Sequence, residues 1–307
     1  MRSPRVVLAT AALAAVSALF LTACGGDGDG PSAAVPPSED STAAPIGLEK
    51  VDSIAALVPE AVASRGSLVI GADTTYAPAE YIDVDGVTPV GYDVDLANAI
   101  SVVLGLTADV QTADFSDIIP GVGSTYDVGI SSFTINADRL ALVNMVQYLQ
   151  AGEAFAVAKQ NPQNISADDL CGLTVAVQAG TIEEEELVPL SEQCESADKE
   201  AVRPLSYPTQ TEVTDALVDG KADVMYADSP IIAYAILQQS DRIEQLGEVF
   251  ANAPQGIAVA KDDKALTAAI QAAVQHLIDS GLYEKILTGW STRAGAVDTA
   301  EVNPAVA

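Results

Sequence analysis

Three cysteines and a single histidine are the side chains here best suited to covalent or metal chemistry. Cys24 closes the string Leu21-Thr22-Ala23-Cys24, directly after an apolar run, and Gly25 and Gly26 follow. Ahead of it stand Arg2 and Arg5, an apolar stretch from Val6 to Leu21 and small residues at the exit, the three parts of an export signal. With a cysteine right after Ala23 the cut has the form of a lipobox. Residues 1–23 are therefore expected to be removed, leaving a mature chain that begins at a lipid-modified, palmitate-bearing Cys24. An ordinary secretory signal that ends at a cysteine is the alternative. A transmembrane anchor fits less well, because the unbroken run is short for a bilayer core of ~30 Å. Once Cys24 is acylated, Cys171 and Cys194 remain, and such a pair in an oxidising compartment invites a disulfide. Two cysteines with only His276 to join them do not make a zinc site, and no metal or cofactor is expected. His276 sits beside Leu277 on an amphipathic stretch, a structural rather than a catalytic place.

Composition narrows the partners. The chain has 307 residues, 49% of them hydrophobic, enough for two ordinary domains with real cores. Against 14 basic residues stand 43 acidic ones, a net charge of −29. Losing Arg2 and Arg5 with the signal makes the balance more negative still. Nucleic acid and anionic lipid both need basic surface, so binding to either by charge is excluded. Cationic ligands are favoured at long range, although solubility alone would also account for the charge.

The elements that must position any site follow a repeated grammar. From Gly25 to about Gly47 the chain is Gly, Asp, Ser, Pro and Ala, a flexible leash that cannot repay its ordering entropy. A short helical lead-in spans Leu48 to Arg65. Strand runs at Leu68–Gly71, Ala108–Gln111 and Val128–Ile130 alternate with helices that Asp93, Ser116 and Asn136 could cap. Phe115 falls in the loop before Ser116. A second series has strands at Thr174–Val177, Val202–Leu205 and Ala222–Tyr226, with four glutamates, Glu183 to Glu186, opening one helix where acids suit its dipole. Strand, loop and helix repeated mean α/β folding on parallel sheets. Extended pieces at Ala154–Ala158 and Gly256–Ala260 are the expected crossings between two lobes. The expected division is signal 1–23, tether 24–50, a first lobe of 51–157 plus 257–295, a second lobe of 158–256, and a disordered tail at 296–307. A cleft between the lobes would be lined by loops at the carboxyl ends of the strands.

A series of short motifs carries a resemblance. Gly71-Ala72-Asp73-Thr74-Thr75-Tyr76-Ala77-Pro78, Gly91-Tyr92-Asp93-Val94-Asp95-Leu96, Asp114-Phe115 and Ile118-Ile119-Pro120 come first. Tyr126 through Thr134 to Arg139, Val177-Gln178-Ala179-Gly180-Thr181 and Ala222 through Asp228 follow. In this order, over about Arg65 to Trp290, they resemble the bacterial extracellular solute-binding proteins of family 3, the polar amino-acid receptors of ABC importers. The resemblance implies a periplasmic-binding-protein type II fold, two α/β lobes joined by two hinge crossings. It also implies a lipid-anchored monomer on the outer face of a Gram-positive cell membrane, partnered by a free amino acid and a membrane permease.

The resemblance assigns roles as well. The position of Arg139 is the family's carboxylate grip, a task for which a guanidinium fork is suited. Ser131, Ser132 and Thr134 of the preceding loop, and Gln178 and Thr181 of the other lobe, add donors. Asp228 is the expected ammonium partner, and Tyr76 and Phe115 match an aromatic pair around the ligand's side chain. Asp73 matches an aspartate that reaches polar or cationic side chains. Glu80 stands where the chain departs from the usual phenylalanine after the proline. If it faced the cleft, it and Asp73 would favour lysine, arginine or ornithine; if it lay outside, glutamine or histidine would stay open. Each residue also has a plainer role. Arg139 could be a surface charge beside Asp138, Asp228 a cap before Pro230, Thr181 a cap of the Glu183 helix, and Tyr76 and Phe115 core. An exported dehydratase-type enzyme on the same scaffold, with Asp73 or Glu80 as general acid, is the rival from another class. A ligand-sensing subunit of a signalling system is a third reading.

Overall fold

The computed structural model describes residues 47–306. Cys24, the expected signal and most of the expected tether lie outside them. Two short helices, α1 (Asp52–Ala55) and α2 (Glu60–Arg65), lead into β1 (Ser67–Ala72), followed by the small strands β2 (Thr75–Tyr76), β3 (Glu80–Ile82) and β4 (Pro89–Val90). Then come α3 (Tyr92–Val103), β5 (Thr107–Thr112), α4 (Phe115–Gly121), β6 (Val128–Gly129), α5 (Ala137–Leu142) and the long β7 (Val143–Ala158). The second series is β8 (Thr174–Gln178), α6 (Ile182–Ser196), β9 (Arg203–Tyr207), α7 (Gln210–Val218), β10 (Val224–Asp228) and α8 (Ser229–Gln238). A second long strand, β11 (Ile243–Ala260), precedes α9 (Lys264–Asp279) and α10 (Leu282–Gly289).

Eight strands form one sheet in the order β5-β1-β6-β11-β7-β10-β8-β9, and β2, β3 and β4 form a separate three-stranded sheet. β1 runs parallel to β5 and β6, and β8 runs parallel to β9 and β10. The antiparallel pair β7 and β11 runs through the middle and joins these two parallel halves. At one end β11 pairs with β6 through Ala258 and Val259; at the other β7 pairs with β10 from Glu153 to Val157. Glu153 to Ala158 therefore belong to the second half already, and the crossing expected at Ala154–Ala158 lies earlier, near 150–152. On β11 the register breaks between Leu246 and Phe250, between Phe250 and Ala253, and between Gln255 and Gly256, so that crossing too precedes the expected Gly256–Ala260. Which neighbour a strand pairs with decides where a lobe ends, and strand composition does not carry that information.

The tail is a second correction. Residues 296–306 are docked along β7, not disordered. Gln147 N–H donates to Glu301 O, Asn303 N–H to Met145 O, and Met145 N–H to Asn303 Oδ1, each at 2.8 Å, while Ala300 is fully buried. The 143–149 end of β7 has β11 on one side only. Its other edge carries backbone groups that burial would leave unpaired, and the tail supplies their partners.

Buried apolar runs build the strands: Leu68 and Ile70 on β1, Val175 to Val177 on β8, Val224 to Ala227 on β10. Helix α9 buries one stripe, Leu266, Ile270, Val274 and Leu277, at the spacing of a single helix face. Two helices start otherwise than expected. Gly91, not Asp93, is the capping residue before α3, with Asp93 turned inward; Asp114, not Ser116, precedes α4, which Phe115 opens.

Cys171 and Cys194 are joined in a disulfide, tying the approach to β8 to the last turns of α6. It closes a loop of about 22 residues, which in the chain-entropy model is worth about 3 kcal/mol. Replacing both cysteines with serine should lower the unfolding free energy by about that amount in a urea titration. Ligand affinity should hold, because neither cysteine lines the site described next. Among the described residues no helix is long and apolar enough to cross a membrane.

Candidate functional site

The carboxyl ends of the strands deliver the candidate residues to one place. Asp73 follows β1 and Ser131 and Ser132 follow β6, while Gln178 ends β8 and Asp228 ends β10. Within each half the parallel strands share one direction, and the three antiparallel steps from β6 through β11 and β7 to β10 aim the carboxyl ends of the two halves at each other, so residues far apart in sequence converge. A small cavity results, lined by Tyr76, Phe115, Ser132, Thr134 and Arg139 from the first half. Thr181, Ile182, Glu183 and Asp228 line it from the second. It has room for about one water at most, so the cleft is drawn shut.

Arg139 sits on α5, whose first turn is fixed by Asn136 Oδ1 accepting from Arg139 N–H at 2.8 Å. Its guanidinium donates to Thr134 O at 2.9 Å and, across the cleft, to Gly180 O at 3.2 Å. It lies over the Phe115 and Phe133 rings, 5.5 and 5.6 Å from their centroids, and those rings stack at 4.8 Å. Of a guanidinium's five N–H groups, two have these acceptors, leaving a fork for a carboxylate. Burial lowers the basicity of Arg139, while Glu183, Glu185 and Asp228 oppose that shift. It remains a cation.

Asp228 faces it from the second half. One carboxylate oxygen accepts from Tyr76 Oη and from Gln255 Nε2, each at 3.0 Å. Burial raises this carboxyl to about 7; the Tyr76 hydroxyl, Arg139 and Gln255 pull the other way, and Glu153 adds to the rise. Glu183, in the first turn of α6, is buried and raised to about 8, first by burial and then by Asp228. Its Oε1 has no hydrogen-bond partner. Thr181 caps the same helix, accepting from Glu184 N–H at 3.3 Å and donating to Gln178 O at 2.9 Å. Capping does not remove it from the cavity wall.

Asp73, Gln178, Ser131 and Glu80 stand outside this lining. Asp73 accepts from Thr75 and, across the cleft, from the Gln178 amide, so the two form a buried latch at its edge. Burial foremost raises the Asp73 carboxyl. Ser131 Oγ accepts from Asp73 N–H at 3.0 Å and donates to Glu80 Oε1 at 2.6 Å. Glu80 is fully buried beneath that serine. It neither lines the cavity nor lies in solvent, because the start of β3 turns its side chain into the first half. The expectation that it surrounds the ligand's distal end is corrected accordingly. A larger, open groove in the second half, lined by Phe155, Tyr226 and Phe250, contains none of the candidate residues.

Three residues that sequence reasoning missed bear on the site. Glu183 directly follows the Gly180-Thr181-Ile182 loop, a position that pointed to it, but acids in a first helical turn have a sufficient reason in the dipole. Gln255 carries no motif; only its bridge to Thr134 brings it here. Asp93 reads as a helix cap and is instead a buried acceptor for Ser132 N–H and Tyr148 Oη, at 2.8 and 2.7 Å. Among the described residues no cluster could hold a metal ion.

Fold and motifs agree with comparison to known proteins. Residues 68–293 match the bacterial extracellular solute-binding proteins, family 3, and the chain belongs to that family. It is 40% identical over 257 residues to the arginine-binding protein ArgT of Corynebacterium glutamicum, covering 83% of this chain and 84% of that one. A solved ancestral arginine-binding protein bound to arginine superposes with a TM-score of 0.69 at 31% identity, covering 74% of this chain and 98% of that one. A second ancestral amino acid-binding protein, AncCDT-1, a precursor of cyclohexadienyl dehydratase, gives 0.68 at 27%, covering 75% and 98%. The architecture is the type II fold of periplasmic amino-acid-binding proteins.

Proposed function

We propose that this protein is an extracellular receptor for a cationic amino acid, arginine foremost, tethered through lipid on Cys24 and delivering its ligand as a monomer to an ABC import permease. The observation that carries the reading is Arg139 and Asp228 lining one buried cavity from opposite halves of the sheet. A free α-amino acid presents a carboxylate and an ammonium in fixed geometry, and these two side chains complement them. Phe115 and Tyr76 flank the path of the ligand's side chain. The unpartnered Oε1 of Glu183 in the wall, with Asp73 nearby, supports a second positive charge on the ligand. Arginine-binding relatives support the same choice.

Binding is a hinged trap. Tyr76–Asp228, Asp73–Gln178, Arg139–Gly180 and the Gln210 N–H to Thr75 Oγ1 bond all span the two halves. Admitting a ligand requires these to part, with β7 and β11 flexing where they change partners. The ligand then favours closure by contacts available only in the closed form. Nothing in this scheme needs a chemical step, and we read the chain as a binding protein rather than a dehydratase or a sensor.

A thermal-shift screen tests the ligand class. Arginine at 100 times its dissociation constant should stabilise the fold by about 2.7 kcal/mol, with lysine and ornithine weaker and acidic amino acids inert. A screen in which no free amino acid shifts the transition would overturn the reading.

A further inference from the structure

The floor beneath the Ser131–Ser132 loop contains two carboxyl side chains that touch no ligand-facing space. Glu80 opens β3 and Asp93 lies in the first turn of α3. They meet because the backbone at Gly91 lies against Ala79: a Cβ at Gly91 would stand 2.0 Å from Ala79 O, and Asp93 N–H donates to that carbonyl at 2.9 Å. Only glycine permits that approach, the more so at its φ of 134°. Glu80 is fully buried and Asp93 nearly so.

Each carboxyl spends one oxygen on the loop. Asp93 Oδ2 accepts from Ser132 N–H at 2.8 Å, Tyr148 Oη at 2.7 Å and Ser132 Oγ at 3.3 Å; Glu80 Oε1 accepts from Ser131 Oγ at 2.6 Å. The other two oxygens, Asp93 Oδ1 and Glu80 Oε2, are buried and have no donor. The two side chains are in hydrogen-bonding reach of each other. Two carboxylates held this close repel, and their bare oxygens are costly to bury. A single proton between them removes both problems. Burial first, then Asp93, push the Glu80 carboxyl well above its usual range; burial raises Asp93 only to about 6, because Tyr148 and Ser132 donate to it. The other titratable groups facing the pair are Asp73, Tyr92 and Tyr148, and none of the ion pairs among the described residues includes either carboxyl.

We propose that Glu80 and Asp93 share one proton, and that this acid pair is the positioning element that holds the Ser131–Ser132 loop in its ligand-receiving shape. The loop needs holding. Ser132 lines the cavity with φ of 47°, a left-handed backbone that a serine adopts only when its surroundings enforce it. Asp93 enforces it through the Ser132 N–H, and Glu80 fixes the preceding serine. The proposal deepens the amino-acid-receptor reading and rests on it for its functional arm.

The test pairs infrared spectroscopy of the unliganded protein with arginine calorimetry on Glu80→Gln, Glu80→Ala and Asp93→Ala. Wild type should show several protonated carboxyls at neutral pH, Glu183 and Glu153 among them, and Glu80→Gln should remove one band and leave the rest. That variant should bind arginine within about threefold of wild type, because its amide donates to Asp93 and its carbonyl accepts from Ser131. Both alanine variants should lose roughly tenfold or more. A carboxyl spectrum left unchanged by Glu80→Gln, Glu80→Gln as damaging as Glu80→Ala, or full binding by Glu80→Ala would each overturn the proposal. If wild type itself ignores arginine, the receptor reading fails while the infrared arm still reports on the pair.

Discussion

Replacing Arg139 with alanine is expected to weaken amino-acid binding by about 2–5 kcal/mol, the cost of truncating one side of a buried charge pair. That is a loss of roughly 30-fold to several-thousand-fold in the dissociation constant, read directly by calorimetry. The guanidinium is placed for it by three separate devices: the Asn136 cap, the Thr134 carbonyl and the stacked Phe115 and Phe133 rings. None of these disappears in the variant, so the fold should melt as a single cooperative unit. Arg139→Lys should recover only part of the loss, since an ammonium cannot reproduce a planar two-pronged contact. Unchanged affinity in the alanine variant would remove Arg139 from the site.

Asp228→Asn should bring a comparable loss, about 2–5 kcal/mol, together with a change in pH dependence that a structural role would not produce. In the unliganded protein burial raises this carboxyl to about 7, so below that pH it is largely protonated. A bound ammonium requires the carboxylate. Affinity should therefore fall as pH drops below 7, and binding near pH 6 should release a proton, seen as a buffer-dependent binding enthalpy. Asparagine should abolish that release. Stability of the unliganded fold should run the other way. A carboxyl whose folded pKa lies above its unfolded value binds its extra proton in the folded state, so its contribution declines as pH rises from about 4 to 7. Glu183 and Glu153, both raised to about 8, extend that decline upward. Opposite slopes for affinity and stability across one pH range are thus expected.

Much of the scaffold could be read from residue patterns. Buried strand runs such as Leu68–Gly71 and Ala222–Tyr226, and the caps Asn136 and Thr181, are local signals, and local signals survive folding. The long-range ones did not. The crossings were placed several residues late because strand identity changes only where the hydrogen-bonding neighbour does, as at Glu153 opposite Asp228. The tail from 296 onward has the composition of a linker, yet an uncovered β7 edge gives it a reason to dock. The resemblance leaves Glu80 open between the cleft and solvent, and a lone acid is costly to bury. Its burial goes with that of Asp93, whose place at a helix start reads as a cap, and each acid makes sense only beside the other. Glu183 was hidden by a sufficient local explanation. Arg139, Asp228, Tyr76, Ser132, Thr134, Phe115 and Thr181 were named from motif order and stand around one cavity.

The most direct test is a functional-group cycle by calorimetry. Arginine, its decarboxylated form agmatine and its deaminated form are each titrated into wild type, Arg139→Ala and Asp228→Asn. The account expects wild type to reject both truncated ligands, Arg139→Ala to lose its discrimination against agmatine alone, and Asp228→Asn to lose its discrimination against the deaminated form alone. Penalties that simply add, with each variant still rejecting both truncated ligands as strongly as wild type does, would mean that these two side chains do not hold the two ends of the ligand.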